Sequence, residues 1–394
     1  MWHAASYDDV KQGRVTDLYF TRAVEILRGT DQDREVRAEF IAKVLPESWP
    51  WAVLAGVEEC LRLLEDRPIS ARGLVEGTVF RPLQPVLEVQ GRYTDLAVYE
   101  TALLGMLCQA SGVATKAARF RKLAGDLPLI SFGARRVHPA IAPVVERAAY
   151  IGGCSGVATV LAAQQLGIEA SGTMPHALIL LMGSTEAAAR AFNAKIDPNA
   201  PRIALIDTFN DEKFEAIRVA EALGRDLYAL RLDTPASRRG NFRQILEEVR
   251  WELDLRGHEH VRLFVSGGLS EEAVEVLMGV ADGFGVGTEI SAAPVVDFSM
   301  DIVEIEGEPL AKRGKMSGAK SVWRCDGCGD EFLMPLGQRP SHSCGGALTD
   351  LLVPLMEQGR VLVELPPARL IRERVLGALT AEEVDPSGHR HFAP

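Results

Sequence analysis

Three cysteines and one histidine near the carboxyl end have the spacing of a structural metal site. Cys325 and Cys328 form a Cys-x-x-Cys pair, and His342 and Cys344 follow as His-x-Cys. Thiolates and imidazole suit tetrahedral zinc, and four protein ligands close its coordination shell. Ser341 stands where a second Cys-x-x-Cys pair would have its first cysteine, so His342 is the predicted substitute ligand. The spacing predicts a zinc-ribbon-like insert over 323–350, with a structural Zn²⁺.

A second set of chemically capable residues recurs between residues 128 and 288. Seven short apolar runs there each end in a polar or glycine-bearing cluster, at 132–136, 152–156, 171–176, 207–211, 231–235, 266–269 and 285–288. Guanidinium groups pair with carboxylates and phosphates, and glycine lets the backbone approach a phosphate closely. Neutral imidazole is a competent nucleophile near neutral pH. The clusters therefore contain the groups needed to hold an anion and to attack it.

Helix-like stretches separate most of these clusters. Strand, loop and helix repeated in this way are typical of an α/β barrel, whose chemistry lies on the loops after the strands. Barrels often bind phosphate after their last two strands, so Gly267, Gly268, Gly287 and Thr288 are expected to hold a sugar phosphate. Ordinary turns also need glycine, and the prediction depends on two such clusters following consecutive strands.

Composition excludes several classes of protein. The 394 residues are 47% hydrophobic, enough for more than one domain and a large core. A formal net charge of -11 opposes binding to nucleic acid. No apolar run has the length needed to span a bilayer, and the amino terminus lacks the basic region of a secretory signal. Clustered cysteines favour metal binding in a reducing cytoplasm over disulfides.

The predicted fold class is α/β with three parts. An amino-terminal α/β domain covers 1–112 and is completed by about 295–322 and 351–394. An α/β barrel covers 113–294 and carries the clusters. The zinc-ribbon-like insert interrupts the returning chain at 323–350.

Four motifs, taken in order, resemble nicotinate phosphoribosyltransferase. They are Phe-Gly-Ala-Arg-Arg from Phe132, Gly-Gly-Cys-Ser-Gly-Val-Ala from Gly152, Ser-Gly-Thr-Met-Pro-His from Ser171, and Arg-Leu-Asp-Thr-Pro from Arg231. The chain resembles in particular the shorter archaeal-type enzymes that have a cysteine-rich insert. The resemblance implies an incomplete, TIM-like barrel with an amino-terminal α/β domain. It also implies formation of nicotinate mononucleotide from nicotinate and phosphoribosyl pyrophosphate with Mg²⁺, coupled to ATP hydrolysis in many members, within NAD biosynthesis.

By this resemblance, the first and third clusters contact the ring and the phosphates. His176 would be the histidine that ATP phosphorylates. Phe132 would stack on the pyridine ring, and Arg135, with Arg136 beside it, would face the carboxylate or the phosphates. For His176, the alternative is a histidine that only hydrogen-bonds a backbone carbonyl. For Phe132 it is an ordinary core aromatic, and for the two arginines it is exposure to solvent.

The resemblance also implies roles for the clusters after the next two strands. Arg231 would contact the phosphoribosyl group or the ring substituent. Asp233 would bind ribose hydroxyls or a magnesium ion. Asp207, which ends the neighbouring strand, is predicted to bind substrate; a structural salt bridge at the barrel rim is the alternative.

Two further residues bear on specificity and assembly. The related nicotinamide enzyme has an aspartate where this chain has Ser155, so Ser155 would not repel the carboxylate of nicotinate; the alternative is a small residue needed for packing. Tyr19 would reach into the site of a neighbouring subunit, which implies a homodimer or a multiple of dimers with shared sites. Packing of Tyr19 in its own core is the alternative. Lys315 and Lys320 belong to a segment that resembles one near the phosphates, but they are equally compatible with a solvated charge run.

The leading hypothesis is therefore a cytoplasmic nicotinate phosphoribosyltransferase that binds nicotinate, phosphoribosyl pyrophosphate and ATP. Quinolinate or nicotinamide phosphoribosyltransferase is the alternative within the same class. A non-catalytic zinc-ribbon binding protein is the alternative from another class, with the acidic charge counting against a nucleic-acid partner.

Overall fold

The computed structural model describes residues 3–235, 237–238 and 240–380, and the backbone of 390–392. The chain forms two compact units, Met1–Thr115 with Pro294–Pro394, and Lys116–Ala293. We call the first the sheet unit and the second the barrel unit. The sequence-based assignment treats 323–350 as separate, whereas here those residues belong to the sheet unit. The end of the predicted 351–394 segment lies outside the described residues.

The amino-terminal part of the chain contains five helices and five strands. They are α1 Tyr7–Lys11, α2 Leu18–Thr30, β1 Glu35–Ala42, β2 Ala52–Val53, α3 Val57–Leu64, β3 Ser70–Gly73, β4 Val79–Phe80, β5 Pro85–Arg92, α4 Tyr93–Leu96 and α5 Glu100–Ala124. The sequence predicts one helix over 52–64, but the structure divides this segment into β2 and α3. Gly56 causes the break, because it has a φ of +93° and a Cβ there would lie 2.6 Å from the carbonyl oxygen of Met106.

Helix α5 is 25 residues long, where the sequence predicts two helices, 95–109 and 112–124. Gly112 does not end it. A Cβ at this position would lie 2.3 Å from the carbonyl oxygen of Pro294, so glycine serves a close backbone approach. The helical stretch Tyr93–Ala124 is long and apolar enough to cross a membrane by length and composition, unlike the sequence-based expectation. Half of its most apolar window is buried inside the protein, as in the core helix of a globular domain.

The barrel unit follows with six strands and eight helices in the part that the structure describes. They are β6 Leu129–Ser131, α6 Ala142–Ile151, β7 Gly156–Val157, α7 Val160–Leu166, α8 His176–Met182, α9 Thr185–Lys195, β8 Ile203–Leu205, α10 Glu212–Leu223, β9 Ala229–Leu232, α11 Phe242–Leu255, β10 Arg262–Ser266, α12 Glu271–Leu277, β11 Gly283–Val286 and α13 Thr288–Ser291. The strands form one parallel sheet in the order β7-β6-β11-β10-β9-β8. β7 and β8 are therefore the two edges of an open half-barrel, which confirms the incomplete barrel.

The third of the seven predicted strands is absent. The segment before Ser171 leaves α7 at Gly167 and continues as an exposed loop. One bond connects the loop to the sheet, from the Ser171 amide to the Val157 carbonyl oxygen at 2.7 Å. Ile168 is the single large apolar residue between Gly167 and Ser171, so a strand there would bury too little surface to be stable. The gap in the barrel is the direct consequence.

The chain then returns to the sheet unit. Its elements are β12 Phe298–Ile305, β13 Glu308–Pro309, β14 Lys320–Cys325, β15 Glu331–Pro335, β16 Leu348–Asp350, β17 Val353–Glu357, β18 Arg360–Val361, α14 Ala368–Thr380 and β19 Arg390–Phe392. An antiparallel sheet has the order β13-β12-β1-β5-β3-β17-β18. A smaller, mixed sheet has the order β16-β14-β15-β19, in which only the β15–β19 pair is parallel. The sequence reading missed the inner strand β1, although Val36, Ala38, Phe40 and Ala42 are buried in the alternating pattern of a strand.

Candidate functional site

A cavity of about 750 Å³ lies at the carboxyl ends of the half-barrel strands. It brings together ten of the predicted site residues: Phe132, Arg135, Arg136, His176, Arg231, Asp233, Gly267, Gly268, Gly287 and Thr288. Parallel strands place their carboxyl ends on one side of a barrel, which explains why residues so distant in sequence meet there. We call this space the first cavity.

Phe132, directly after β6, forms the aromatic surface of the first cavity. Its ring packs over Gly285 of β11, where a Cβ would lie 2.3 Å from the Phe132 Cε2 atom. Glycine is therefore required for the ring to lie flat against the sheet. The guanidinium carbon of Arg231 lies 4.9 Å from the ring centroid of Phe132, within the range of a cation–π contact. The cavity thus has a planar hydrophobic surface beside a fixed positive charge.

Arg231 and Asp233 are held by a shared serine. Arg231 Nε donates to Ser266 Oγ at 2.9 Å, and Ser266 Oγ donates to Asp233 Oδ1 at 2.7 Å. A direct ion pair joins Arg231 Nη2 to Asp233 Oδ2 at 3.3 Å. Arg231 also reaches Thr173 Oγ1 at 3.4 Å. Ser266 and Thr173 both lie within recognised clusters, but the sequence reading assigned neither of them a role.

His176 is the first residue of α8 and forms the boundary between two cavities. Its Nε2 atom lies 3.2 Å from Asp207 Oδ1. Burial raises the pKa of the Asp207 carboxyl, and the contact with His176 counteracts this only in part. A second cavity, of about 630 Å³, is lined by His176, Asp207 and Asp233 together with Glu212 and Arg238. His176 and Asp233 line both cavities.

The loops after β10 and β11, residues 266–269 and 285–288, form the wall expected to hold phosphate. Gly267 has a φ of +90°, and a Cβ there would lie 2.8 Å from the carbonyl oxygen of Asp233. No other residue type fits this position without displacing the chain. Thr288 begins the four-residue helix α13. We call these two segments the glycine loops.

Arg135 and Arg136 lie in a 3₁₀ turn, Ala134–Arg136, and are exposed. In the described ranges of the chain neither forms an ion pair with a carboxylate. Two arginines without acidic partners at the edge of a cavity form a positive surface for an anionic ligand.

The structure does not place Ser155 in either cavity. Ser155 precedes β7, and its Oγ accepts hydrogen bonds from Arg121 Nη2 at 3.0 Å and from the Leu129 amide at 3.2 Å. Leu129 is the first residue of β6, so Ser155 lies at the amino ends of the strands, opposite the first cavity. The structure therefore does not bring Ser155 to the first cavity, and its role in discriminating acid from amide stays a prediction.

Tyr19 belongs to the sheet unit, on α2, where its side chain is 61% exposed. It is not part of its own core, so the packing alternative is excluded. The neighbouring residues Leu18 and Ile26 are each 62% exposed. Helix α2 therefore presents an uncovered apolar face.

The predicted metal ligands come together in the smaller sheet. The ligand atoms of Cys325, Cys328, His342 and Cys344 all lie within 4.8 Å of one another. A Cβ at residue 346 would lie 2.5 Å from Cys325 Sγ, so Gly346 leaves the room that the sulfur needs. Three sulfurs and one imidazole nitrogen at this spacing fit the tetrahedral coordination of zinc.

The fold and the first cavity define the class of protein. An α/β half-barrel with an aromatic surface, cationic side chains and two glycine loops at the carboxyl ends of its strands is typical of an enzyme whose site lies on the loops after those strands.

Comparison with known proteins identifies the family. Residues 17–111 match the amino-terminal domain of quinolinate phosphoribosyl transferase, and residues 113–301 match its carboxyl-terminal domain. A nicotinate phosphoribosyltransferase of Mycobacterium tuberculosis is 32% identical over 76% of this chain and 74% of its own length. The chain therefore belongs to the type II phosphoribosyltransferases.

Solved structures agree with this assignment. A nicotinate-nucleotide pyrophosphorylase from Pyrococcus furiosus superimposes with a TM-score of 0.94 at 50% identity, over 96% of this chain and 97% of that one. Human nicotinic acid phosphoribosyltransferase has the same fold, with a TM-score of 0.76 at 20% identity over 96% of this chain and 97% of its own.

Proposed function

We propose that this enzyme is a nicotinate phosphoribosyltransferase that couples nucleotide formation to ATP through His176. The observation that carries the proposal is the contact of His176 Nε2 with the buried carboxylate of Asp207, at the boundary of the first cavity. A histidine fixed in this way is a nucleophile in a defined tautomer rather than a packing residue.

The contact determines which ring nitrogen reacts. With the Nε2 proton donated to Asp207, the lone pair of His176 is on Nδ1. Nδ1 attacks the terminal phosphorus of ATP, the bond to ADP breaks, and the carboxylate of Asp207 balances the positive charge that develops on the ring. A phosphoryl group on His176 would then lie beside the space that receives pyrophosphate.

The other residues of the first cavity position the two substrates of the transfer. The ring of Phe132 is the surface for a pyridine, and Arg231 is placed to pair with its carboxylate. The glycine loops offer backbone N–H groups to the 5′-phosphate, and Arg135 and Arg136 add positive charge for the pyrophosphate. The pyridine nitrogen attacks C1 of the sugar as the bond to pyrophosphate breaks, and binding in the correct orientation supplies much of the rate.

Magnesium is the metal expected with the pyrophosphate. Asp207 and Asp233 both line the second cavity, and the charge of Asp233 contributes to the raised pKa of Asp207. Two carboxylates this close fit the oxygen-ligand preference of magnesium, which neutralises the leaving group. Cys325, Cys328, His342 and Cys344 would hold a structural zinc ion.

A homo-oligomer with shared sites is part of the same proposal. Tyr19 is exposed on α2, and Leu180 and Leu181 of α8, the helix that begins at His176, are 58% and 86% exposed. Uncovered apolar residues of this size favour contact with a second copy. Tyr19→Ala and His176→Asn chains should each lack ATP-stimulated activity, and mixing them should restore it if one subunit completes the site of another. No recovery of ATP-stimulated activity from mixed, re-equilibrated chains would refute shared sites.

Quinolinate phosphoribosyltransferase is the second candidate, because both family models bear that name. Chromatographic assay of the purified enzyme with nicotinate, quinolinate and nicotinamide in parallel, with and without ATP, separates the candidates. We expect nicotinate mononucleotide with release of ADP and phosphate. Preference for quinolinate, with release of carbon dioxide and no effect of ATP, would favour the second candidate, and inertness towards all three would refute both.

The His176→Asn variant tests the ATP coupling. It should abolish stimulation by ATP and leave part of the ATP-independent transfer, because asparagine keeps a donor for Asp207 but cannot be phosphorylated. His260→Asn is the matched control, since His260 is exposed and lines neither cavity; its ring contacts the Gly224 carbonyl at 3.4 Å and the ring of His258. Unchanged ATP stimulation in His176→Asn would show that the coupling residue is another one.

A further inference from the structure

Lys116, in the last part of α5, is a buried lysine that does not line the first or the second cavity. Only 6% of the residue is exposed. A buried ammonium group is costly unless it is paired, so its partners indicate why it is there.

The partners of Lys116 follow the two glycine loops. Its Nζ lies 3.0 Å from Glu271 Oε1 and 3.4 Å from Glu289 Oε2. Glu271 is the first residue of α12, directly after the loop 266–269 and its helix cap Ser270. Glu289 is the second residue of α13, directly after Thr288. One ammonium group therefore connects the two segments that are expected to hold the sugar phosphate.

The two carboxylates are not equivalent. Glu271 has a second cationic partner, since Arg119 donates to it through Nε at 3.0 Å and Nη2 at 2.7 Å. For Glu289, whose side chain is 46% exposed, Lys116 is the one ion-pair partner in the part of the chain that the structure describes. Without Lys116, a free carboxylate would remain next to Thr288, where an anionic phosphate is expected.

We propose that Lys116 is a positioning residue for the phosphate-binding wall of the first cavity, which it serves by joining the glycine loops and neutralising Glu289. This inference rests on the proposed function only in taking a sugar phosphate as the ligand of that wall. It concerns a residue outside the cavity, acting through Glu271 and Glu289.

The test is calorimetric titration of the full-length enzyme with ribose 5-phosphate, without an aromatic acid or ATP. Lys116→Met should raise the dissociation constant at least about fivefold at low salt, and less at high salt, because the added repulsion is electrostatic. Arg119→Met is the matched control, because Arg119 contacts Glu271 but forms no described contact with Glu289, and it should change the constant much less. Adding Glu289→Gln to Lys116→Met should restore most of the affinity, which a purely structural role of Lys116 does not predict.

Thermal unfolding shows whether Lys116→Met is folded. If it is not, the single variant Glu289→Gln decides, because it leaves Lys116 with surplus positive charge and should tighten ribose 5-phosphate binding at least about twofold at low salt. Unchanged binding in folded Lys116→Met, no rescue by Glu289→Gln, or an unaltered constant in the single variant would each overturn the proposal. The titration does not depend on the aromatic substrate, so failure of nicotinate turnover and failure of this inference are distinguishable.

Discussion

The barrel unit and the sheet unit both contain dense clusters of charge, but they use it differently. In the barrel unit, Arg135 and Arg136 line a cavity and have no acidic partner among the described residues, and Arg231 keeps part of its surface open beside Phe132. In the sheet unit, Glu88 is 2% exposed and accepts hydrogen bonds from both Arg37 and Arg72. Charge left unpaired at a cavity is available to a ligand, whereas charge paired inside a sheet serves the fold.

The lysines after β13 show why the distinction matters. Lys315 and Lys320 resemble residues of a segment near the phosphates, and sequence alone leaves a solvated charge run as the alternative. The structure excludes the solvated charge run, and the position near the phosphates stays a prediction. Lys315 pairs with Asp301 and donates to Ser299, and Lys320 pairs with Glu39 at 2.8 Å. Both lysines are buried ion-pair partners within the sheet unit.

Removing the carboxylate of Glu88 should have the largest effect on stability. Glu88→Gln leaves the partly buried guanidinium of Arg72 without its carboxylate and leaves Arg37 with Glu304 as its carboxylate partner, at an expected cost of about 3–5 kcal/mol in the free energy of unfolding. Urea denaturation followed by circular dichroism measures it. Glu373→Gln, in the exposed Arg369–Glu373 pair of α14, should cost less than about 0.5 kcal/mol. Equal losses in the two variants would remove the contrast between buried and exposed pairs.

In the barrel unit, Arg231→Lys should lower activity strongly and stability little, the reverse of Glu88→Gln. A lysine cannot contact Ser266, Thr173 and Asp233 together, so kcat/KM should fall by about 10²–10³-fold, or about 3–4 kcal/mol of transition-state stabilisation. The melting temperature should change little, since the residue faces a cavity. Steady-state kinetics and thermal unfolding of the same sample test both parts. A large loss of stability with normal kcat/KM would assign Arg231 to the fold.

Metal removal should affect the sheet unit first. If zinc is bound by the four predicted ligands, a chelator should lower its apparent stability by about 3 kcal/mol, the linkage expected for metal at a hundred times its dissociation constant. Cys344→Ser should lower the zinc content measured by elemental analysis, whereas Ser341→Ala, at the position beside His342, should leave it unchanged. Full zinc content in Cys344→Ser would exclude that thiolate as a ligand.

The smallest effect concerns a carboxyl group of the sheet unit. Burial, with the nearby charge of Asp301, raises the pKa of Glu100 to about 7. The folded state therefore binds a proton that the unfolded state releases between the ordinary glutamate pKa and about pH 7, so stability falls as the pH rises through this range. Glu100→Gln should stabilise the protein by about 1 kcal/mol at pH 8, after allowance for partial solvation, and hardly at pH 5.

Thermal unfolding at the two pH values tests the Glu100 prediction. Glu25→Gln on the exposed side of α2 is the control and should show no pH-dependent difference. A gain in Glu100→Gln that is equal at pH 5 and pH 8 would contradict a raised pKa.

Most residues of the candidate site could be predicted from the local sequence pattern. Each cluster after a barrel strand contains residues of a type that its chemistry needs, and parallel strands bring their carboxyl ends together, so ten predicted residues line one cavity. Ser155 does not line this cavity: β7 has only two residues, and the sequence pattern does not show at which end of so short a strand a residue lies. No role could be predicted for Ser266 or Lys116, because their contacts are with residues distant in sequence.

The sequence by itself determined the α/β class, the order of the clusters and the grouping of four candidate metal ligands, because these follow from residue type, spacing and hydrophobic period. The tertiary structure decided which charges are paired. It paired Lys320 with Glu39 and brought His176 to Asp207. It also brought Ser266 to both Arg231 and Asp233, which lie more than 30 residues before it in the sequence. The interaction of two charges depends on their separation and burial, and neither is encoded in the local pattern around one residue.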